Sequence, residues 1–328
     1  MTPRLNTAVL TPPVILAPMA GITDRPFRDL VQSFGACLVV SEMVASQEMV
    51  QAKPGVRERA ELSADVANTA VQLAGREAHW MAEAARQVAD RGAAIIDINM
   101  GCPAKKVTNG YAGSALLKTP DHALRLIEAV VGAVDVPVTL KTRLGWDSDC
   151  LNAPDVARRA EAAGVQMITI HGRTRAQFYK GRADWEAIAR VKQQVDIPVI
   201  ANGDITDTTT AQSALAQSAA DGVMIGRGAQ GKPWLLARVA HDLWDTPAPV
   251  VPEGGALVAL VCGHYEAMLS FYGVDLGLRV ARKHLGWYMD TVGTPAGMRR
   301  MILTSKDPNE ALRHLTDALS RKPEGAAA

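Results

Sequence analysis

Short apolar runs alternate with longer amphipathic ones eight times over about 240 residues, and no other feature limits the fold of this chain as much. The apolar runs are PVILAP (13–18), CLVVSE (37–42), TAVQLA (69–74), AAIIDIN (93–99), VPVTLKT (136–142), QMITIH (166–171), IPVIAN (197–202) and DGVMI (221–225). Most are nearly unbroken by polar residues, as strands covered on both faces of a parallel sheet require. Between them, EAHWMAEAARQVADRG (77–92), PDHALRLIEAVVGAV (120–134) and APDVARRAEAAG (153–164) read as helices. Eight strands alternating with helices over this length predict an α/β fold, a (β/α)8 TIM barrel, with a doubly wound sheet as the main competitor.

The alternation stops near residue 240. A Pro/Gly-rich stretch, DTPAPVVPEGG (245–255), is followed only by helical patterns. The expected layout is a barrel over 1–243, a linker over 244–255, a small all-α helical-bundle domain over 256–322 and a disordered tail over 323–328. Hydrophobic residues make up 48% of the chain, enough for a sizeable core, and no apolar run approaches the roughly 18 residues of a membrane span. PPVILAPMAG near the N-terminus is too short and lacks a basic leader, so it reads as the first strand and the expected compartment is the cytoplasm. The four cysteines, 37, 102, 150 and 262, show no C-x-x-C spacing, which suggests neither a zinc site nor a disulfide framework; no metal is expected. Net charge is +1, yet residues 279–328 carry nine Lys or Arg against five Asp or Glu, an excess of +4 that leaves −3 for the rest.

In such a barrel the reactive face is the C-terminal end of the strands. The strand exits carry Pro18, Met19 and Ala20; Ser41, Glu42 and Met43; Gln72; Asn99, Gly101 and Cys102; Lys141 and Arg143; His171 and Arg173; Asn202, Gly203 and Asp204; and Gly226, Arg227 and Gly228. Each has an ordinary reading alone: a lone Gln caps a neighbouring backbone group, a lone His is a satisfied core residue, and NGD is a turn. A lysine inside VPVTLKTRLGW is costly to bury unpaired. Polar groups at almost every exit of one rim describe a site. GRGAQG (226–231) matches G-x-G-x-x-G, but it follows the last strand of the alternation, so a dinucleotide fold is a poor fit. Loops after the seventh and eighth strands of a barrel commonly bind phosphate, and ANGD and IGRG stand there. Flavin mononucleotide (FMN) suits a phosphate site of this kind.

APMAGITDRPFR, DINMGCPAKKV, GSALL, LKTRLGW, ITIHGRTRAQFYKGRADW, IPVIANGDI and DGVMIGRGAQGKPW resemble the tRNA-dihydrouridine synthases over roughly residues 12–236, and ARKHLGWY (281–288) extends the likeness. AKKV after the cysteine, with ARKH, is similar to the bacterial DusB-like branch. The resemblance implies an FMN enzyme that uses NADPH to reduce the C5–C6 bond of specific tRNA uridines, position 17 of the D-loop among them, and a helical domain that binds tRNA. It implies that Pro18, Met19 and Ala20 lie against the flavin ring and that Gln72 and Lys141 meet its polar edge. It further implies His171, Asn202, Gly203, Asp204, Gly226 and Arg227 as the rest of the cofactor site. Asn99, Arg143 and Tyr179 match positions that hold the target uracil, and Cys102 matches the catalytic cysteine.

A thiol on the loop leaving a buried strand could be packing, a metal ligand, a nucleophile or an acid. Reducing uracil adds a hydride at C6 and a proton at C5, and an ordinary thiol, titrating at about 8.5, is mostly protonated at neutral pH and can donate. Gly101 lets the backbone turn and Pro103 stiffens it. Cys37, within a strand, reads as packing. A base in folded RNA must leave its stack to react, and Lys or Arg on phosphates would hold the rest. The candidates for that grip are Lys105, Lys106, Arg175, Lys180, Arg279, Arg282 and Lys283, each of which could equally be part of a solvated basic face.

Overall fold

The computed structural model describes residue 5 and residues 10–36, 38–53, 58–62 and 68–320. Cys37 and the expected tail lie outside the described residues. Among the described residues the strands are β1 (Val14–Leu16), β2 (Leu38–Val40), β3 (Val44–Ala45), β4 (Thr69–Ala74), β5 (Ile95–Met100), β6 (Val138–Arg143), β7 (Met167–His171), β8 (Val199–Asn202) and β9 (Gly222–Ile225). Every pairing is parallel. The order β1-β2-β4-β5-β6-β7-β8-β9 closes on itself through β1 and β9, so the fold is a closed eight-stranded β/α barrel and not a doubly wound sheet. β3 is an addition to the expected set. It resumes the course of β2 after Ser41–Met43 and pairs with the upper end of β4, Val44 opposite Leu73. Two residues are too short to leave a periodic signal.

The helices around the barrel are α1 (Arg25–Ser33), α2 (Ser46–Val50), α3 (Ala78–Asp90), α4 (Lys105–Thr108), α5 (Pro120–Val131), α6 (Ala153–Ala162), α7 (Glu186–Lys192), α8 (Thr208–Ser218) and α9 (Leu235–Trp244). Their starts follow local chemistry. Asp24 caps α1 by accepting from Phe27 N, with proline in the first turn, and Asp207 and Thr210 cap α8 reciprocally.

Strand side chains alternate between the two faces of the wall. Outward residues such as Val71, Leu73, Ile96, Ile98, Leu140, Ile168 and Val199 are buried beneath the helices. Inward residues Ile15, Leu38, Ala70, Ile95, Met167, Ile200 and Met224 fill the barrel's interior. Each large side chain buried this way contributes roughly 1.5–3 kcal/mol. Counting on by twos from the inward set reaches Gln72, Asp97 and Asn99, His171 and Asn202. The parity that packs the floor therefore aims the polar residues into the mouth.

Beyond α9 lie α10 (Gly254–Tyr272), α11 (Val274–Thr291), α12 (Ala296–Thr304) and α13 (Pro308–Ser320). They share a second core that includes Val261, Tyr265, Met268, Leu285, Met289 and Leu315. α10 is long and apolar enough, by length and composition, to cross a membrane, with a mean hydropathy of 1.2. The sequence predicts a helix here but no unbroken apolar run, because Gly263, His264 and Glu266 interrupt it. These helices dock on α1. The Phe27 ring lies 5.8 Å from His264 and 5.0 Å from His284, and Tyr272 Oη donates to Asp24 Oδ2 at 3.0 Å.

Candidate active site

A cavity of about 700 Å³ opens at the C-terminal end of the strands. Cys102 lines it, together with every residue expected to meet flavin or uracil. One wall is apolar, from Pro18, Met19, Ala20 and Met224. The opposite arc carries cations. Lys141 Nζ, partly buried, donates to Asn202 Oδ1 at 3.0 Å, its one hydrogen bond among the described residues. An ammonium has three donors, so two remain for a ligand. Burial first, then the neighbouring Arg143, lowers the Lys141 pKa to about 8.

Arg143, the last residue of β6, is buried and ties the loops after β5 and β7 together. Its Nε donates to Gly101 O at 2.7 Å, and its Nη1 donates to Thr174 O and Phe178 O at 3.0 and 2.9 Å. Its guanidinium carbon sits 5.7 Å from the centre of the Tyr179 ring, and that of Arg227 sits 5.3 Å from it. Burial holds the His171 pKa well below its ordinary value, with Arg143, Lys141, Arg173 and Arg227 adding to the effect, so this imidazole is neutral. Arg173 is a residue the sequence placed at the rim without a role. Its Nη2 donates to Asp204 Oδ2 at 2.5 Å and to Gly181 O at 2.6 Å, bracing the β7 loop against the β8 loop.

The β8 and β9 loops approach the cavity closely. Gly203 has φ +113, and a Cβ there would stand 2.7 Å from His171 Cδ2. Gly228 admits no Cβ either, since Ile205 O would be 2.5 Å away. Arg227 is exposed and pairs with Asp204 at 3.5 Å.

Cys102 sits on the loop between β5 and α4, partly exposed. Its amide donates to Asn99 Oδ1 at 3.0 Å, and its carbonyl accepts from Ser114 Oγ at 2.9 Å and Ser114 N at 3.1 Å. Gly113 has φ +59, and a Cβ on it would come within 2.9 Å of Cys102 O. The GSALL segment thus packs directly on the cysteine loop.

The sequence model of the dihydrouridine synthase (Dus) family matches residues 15–323. The chain belongs to the dihydrouridine synthase family. It is 62% identical over 324 residues to a protein of Rhodobacter capsulatus named "Probable tRNA-dihydrouridine synthase", covering 98% of this chain and 99% of that one. It is 47% identical over 320 residues to "tRNA-dihydrouridine synthase B" of Xanthomonas campestris pv. campestris, covering 96% of each. Among solved structures, the histamine dehydrogenase of Rhizobium sp. 4-9 shares the barrel at a TM-score of 0.56 and 12% identity, over 80% of this chain and about half (50%) of that one.

The synthase fold separates the two groups of expected residues. None of the seven candidates for gripping phosphate lines the cavity. Lys105 and Lys106 are exposed on α4, just past the lining residues Pro103 and Ala104, and Lys180 is exposed beside Tyr179. Arg175 lies over the Trp146 ring at 4.5 Å, and Arg279 Nε donates to Asp275 O at 3.2 Å. Arg282 and Lys283 are exposed on α11, and Lys283 Nζ is 3.2 Å from where a Cβ on Gly21 would stand. The sequence reading passed over Asp97, buried under Gln72 and Thr139. A single Asp within AAIIDIN was its only trace.

Proposed function

We propose that this family member, a tRNA-dihydrouridine synthase, holds FMN over the barrel mouth, takes reducing equivalents from NADPH, and reduces the C5–C6 bond of D-loop uridines, position 17 included. Flavin fits the residues present. The volume is within the range of a cofactor pocket, the wall of Pro18, Met19 and Ala20 is apolar, and Lys141 has donors to spare. Gln72 and Lys141 would meet the polar edge of the ring system. Gly203, Asp204, Gly226 and Arg227, with His171 and Asn202 behind them, would hold the ribityl phosphate. When bound and reduced by NADPH, FMN would supply the hydride.

The remaining work falls to side chains of this chain. Tyr179, Arg143 and Asn99 would hold the uracil at the rim, and Asn99 Oδ1 also accepts from the cysteine loop below it. As the hydride arrives at C6, charge gathers on C5 and O4, and the cationic arc of Lys141 and Arg143 favours it. The C5 carbon takes the proton of the Cys102 thiol, and the thiolate regains one from solvent. The observation that carries this reading is the placement of Cys102. Its loop is pinned at both amide and carbonyl, and the residue lines a cavity that Lys141 and Arg143 also line.

The barrel over 1–243 would then be the catalytic domain, with 256–322 as the tRNA-binding domain across the 244–255 linker and the cytoplasm as the compartment. The test is mass-spectrometric mapping of dihydrouridine in tRNA from a deletion strain carrying either this chain or its Cys102→Ala variant, with released flavin identified from the purified protein. Restored dihydrouridine only with the parent chain supports the reading. Reduction of free uridine as fast as tRNA would point instead to a small-molecule pyrimidine reductase.

A further inference from the structure

Beneath the cavity, buried side chains form one continuous line of hydrogen bonds. Thr139 Oγ1 donates to Asp97 Oδ1 at 2.7 Å, and Gln72 Nε2 donates to Asp97 Oδ2 at 2.6 Å. Asn99 Nδ2 donates to Gln72 Oε1 at 2.7 Å. Asn99 Oδ1 accepts from the amides of Gly101 at 3.2 Å and Cys102 at 3.0 Å. Asp97, Gln72 and Asn99 are 3%, 1% and 7% exposed, so water offers them little alternative.

The direction of this line is dictated from both ends. A backbone amide can only donate, so the atom of Asn99 facing Gly101 and Cys102 must be its oxygen. Its nitrogen then faces Gln72, which must present oxygen there and nitrogen at the far end. That nitrogen needs an acceptor, and Asp97 Oδ2 supplies one; burial raises the Asp97 pKa, while the donors on Thr139 and Gln72 oppose that rise. Were Gln72 turned over, two donors would meet at Asn99 and a carbonyl oxygen would meet a carboxylate. Unpaired polar groups so deeply buried are costly.

We propose that Asp97 is a positioning residue: it sets the polarity of the line from Gln72 through Asn99 to the Cys102 backbone, and so fixes both the thiol loop and the atoms Gln72 offers the cavity. What the thiol and the cavity then accomplish rests on the function proposed above. Asp97 touches neither substrate nor cofactor and acts only through its neighbours.

The test exchanges the ends of the line. In Asn99→Asp the introduced carboxylate can still accept from Gly101 and Cys102, but its second oxygen faces Gln72 Oε1. Turning Gln72 to donate to it leaves Asp97 without its donor. Two buried carboxylates on one amide must then share a proton, which raises their folded-state pKa, so stability is lost as pH rises through it. Adding Asp97→Asn supplies an amide that donates to the turned Gln72 and accepts from Thr139. The two bonds made by Gln72 are reversed, the bonds at either end keep their direction, and every group is paired.

Hydrogen–deuterium exchange at Gly101 and Cys102 in the full-length protein should quicken about tenfold in Asn99→Asp, because the line that holds their acceptor is short of one hydrogen bond at Asp97. It should return toward the parent rate in Asp97→Asn/Asn99→Asp. The thermal midpoint of the single variant should fall with rising pH, and that of the double variant should not. Damage that adds in the double variant, or a single variant exchanging like the parent, overturns the proposal. Flavin retention and dihydrouridine formation are measured on the same proteins. If the parent makes no dihydrouridine, the proposed function falls while the exchange data still decide the role of Asp97.

Discussion

Ser114 closes twice on one atom of Cys102: its hydroxyl at 2.9 Å and its amide at 3.1 Å both donate to the cysteine carbonyl. The two residues are twelve apart, Cys102 on the loop after β5 and Ser114 in the 3-10 turn Gly113–Lys118. Ser114→Ala removes one of the two donors and leaves the other. Stability should drop by about 1 kcal/mol, read from denaturant unfolding. The step that uses the thiol should slow while NADPH reduction of the flavin proceeds as before. Equal slowing of both half-reactions would show that Ser114 supports the barrel as a whole rather than the cysteine loop.

Cys102→Ala separates proton donation from the rest of the chemistry. Flavin retention and its reduction by NADPH need no thiol and should persist. Removing a general acid slows its step by on the order of 10²–10⁴. The measurement is single-turnover reoxidation of pre-reduced enzyme by tRNA, followed at the flavin absorbance band. Reoxidation at the parent rate with a normal dihydrouridine yield would assign the proton to Lys141 or to water.

Much of this site was legible because a parallel barrel gathers its strand exits on one rim. Asn99 and Asn202 were expected at two of those exits, and in the structure they share the inward parity of the floor residues Ile95 and Ile200 and line the cavity. The relations between strands were not legible. Asp97 meets Gln72 across 25 residues and Thr139 across 42, and nothing local to AAIIDIN marks it as more than a strand residue. The docking of α10 on α1 through Tyr272 and Asp24 spans 248 residues. It depends on how the helical core settles against the barrel, which periodicity does not encode. The basic residues show the same limit. Charge excess pointed to the C-terminal region, but how α11 turns each side chain is set by packing of its apolar face.

Lys141 gives a pH signature. Burial holds its pKa in the folded chain at about 8, below the ordinary 10.5. Between those values the unfolded chain binds the proton and the folded chain does not, so stability from this group rises with pH across that window. The thermal midpoint of flavin-free protein should show this rise, and Lys141→Met should flatten it relative to the parent. FMN affinity should decline as pH rises through about 8, where the folded amine loses its charge. Parallel profiles for parent and variant would mean that Lys141 is better solvated than its surroundings indicate.

The β8 loop tests the cofactor site without touching a charge. Gly203 combines φ +113 with a Cβ position 2.7 Å from the His171 ring and 2.9 Å from Ala183 Cβ. Gly203→Ala must shift that loop or the imidazole. Purified variant should retain far less flavin than the parent while its circular dichroism stays that of a folded barrel. Full flavin occupancy after dialysis would move the phosphate site away from this loop.

Arg282 and Lys283 stand exposed on α11, with Lys283 Nζ reaching the Gly21 turn that follows the lining residues Met19 and Ala20. A cation at that junction is placed to meet the tRNA backbone while the target base occupies the cavity. Each phosphate that a side chain no longer neutralises lowers the slope of log affinity against log salt by roughly 0.7–0.9. Replacing both residues by alanine should therefore weaken tRNA binding most at low salt and flatten the salt dependence by about twice that amount. NADPH oxidation with a generic electron acceptor should be unaffected, because neither side chain lines the cavity. Binding isotherms for parent and variant across a salt series decide the matter. An unchanged slope would place both side chains in solvent and leave tRNA to be held by Lys105, Lys106 and Lys180 on the other side of the mouth.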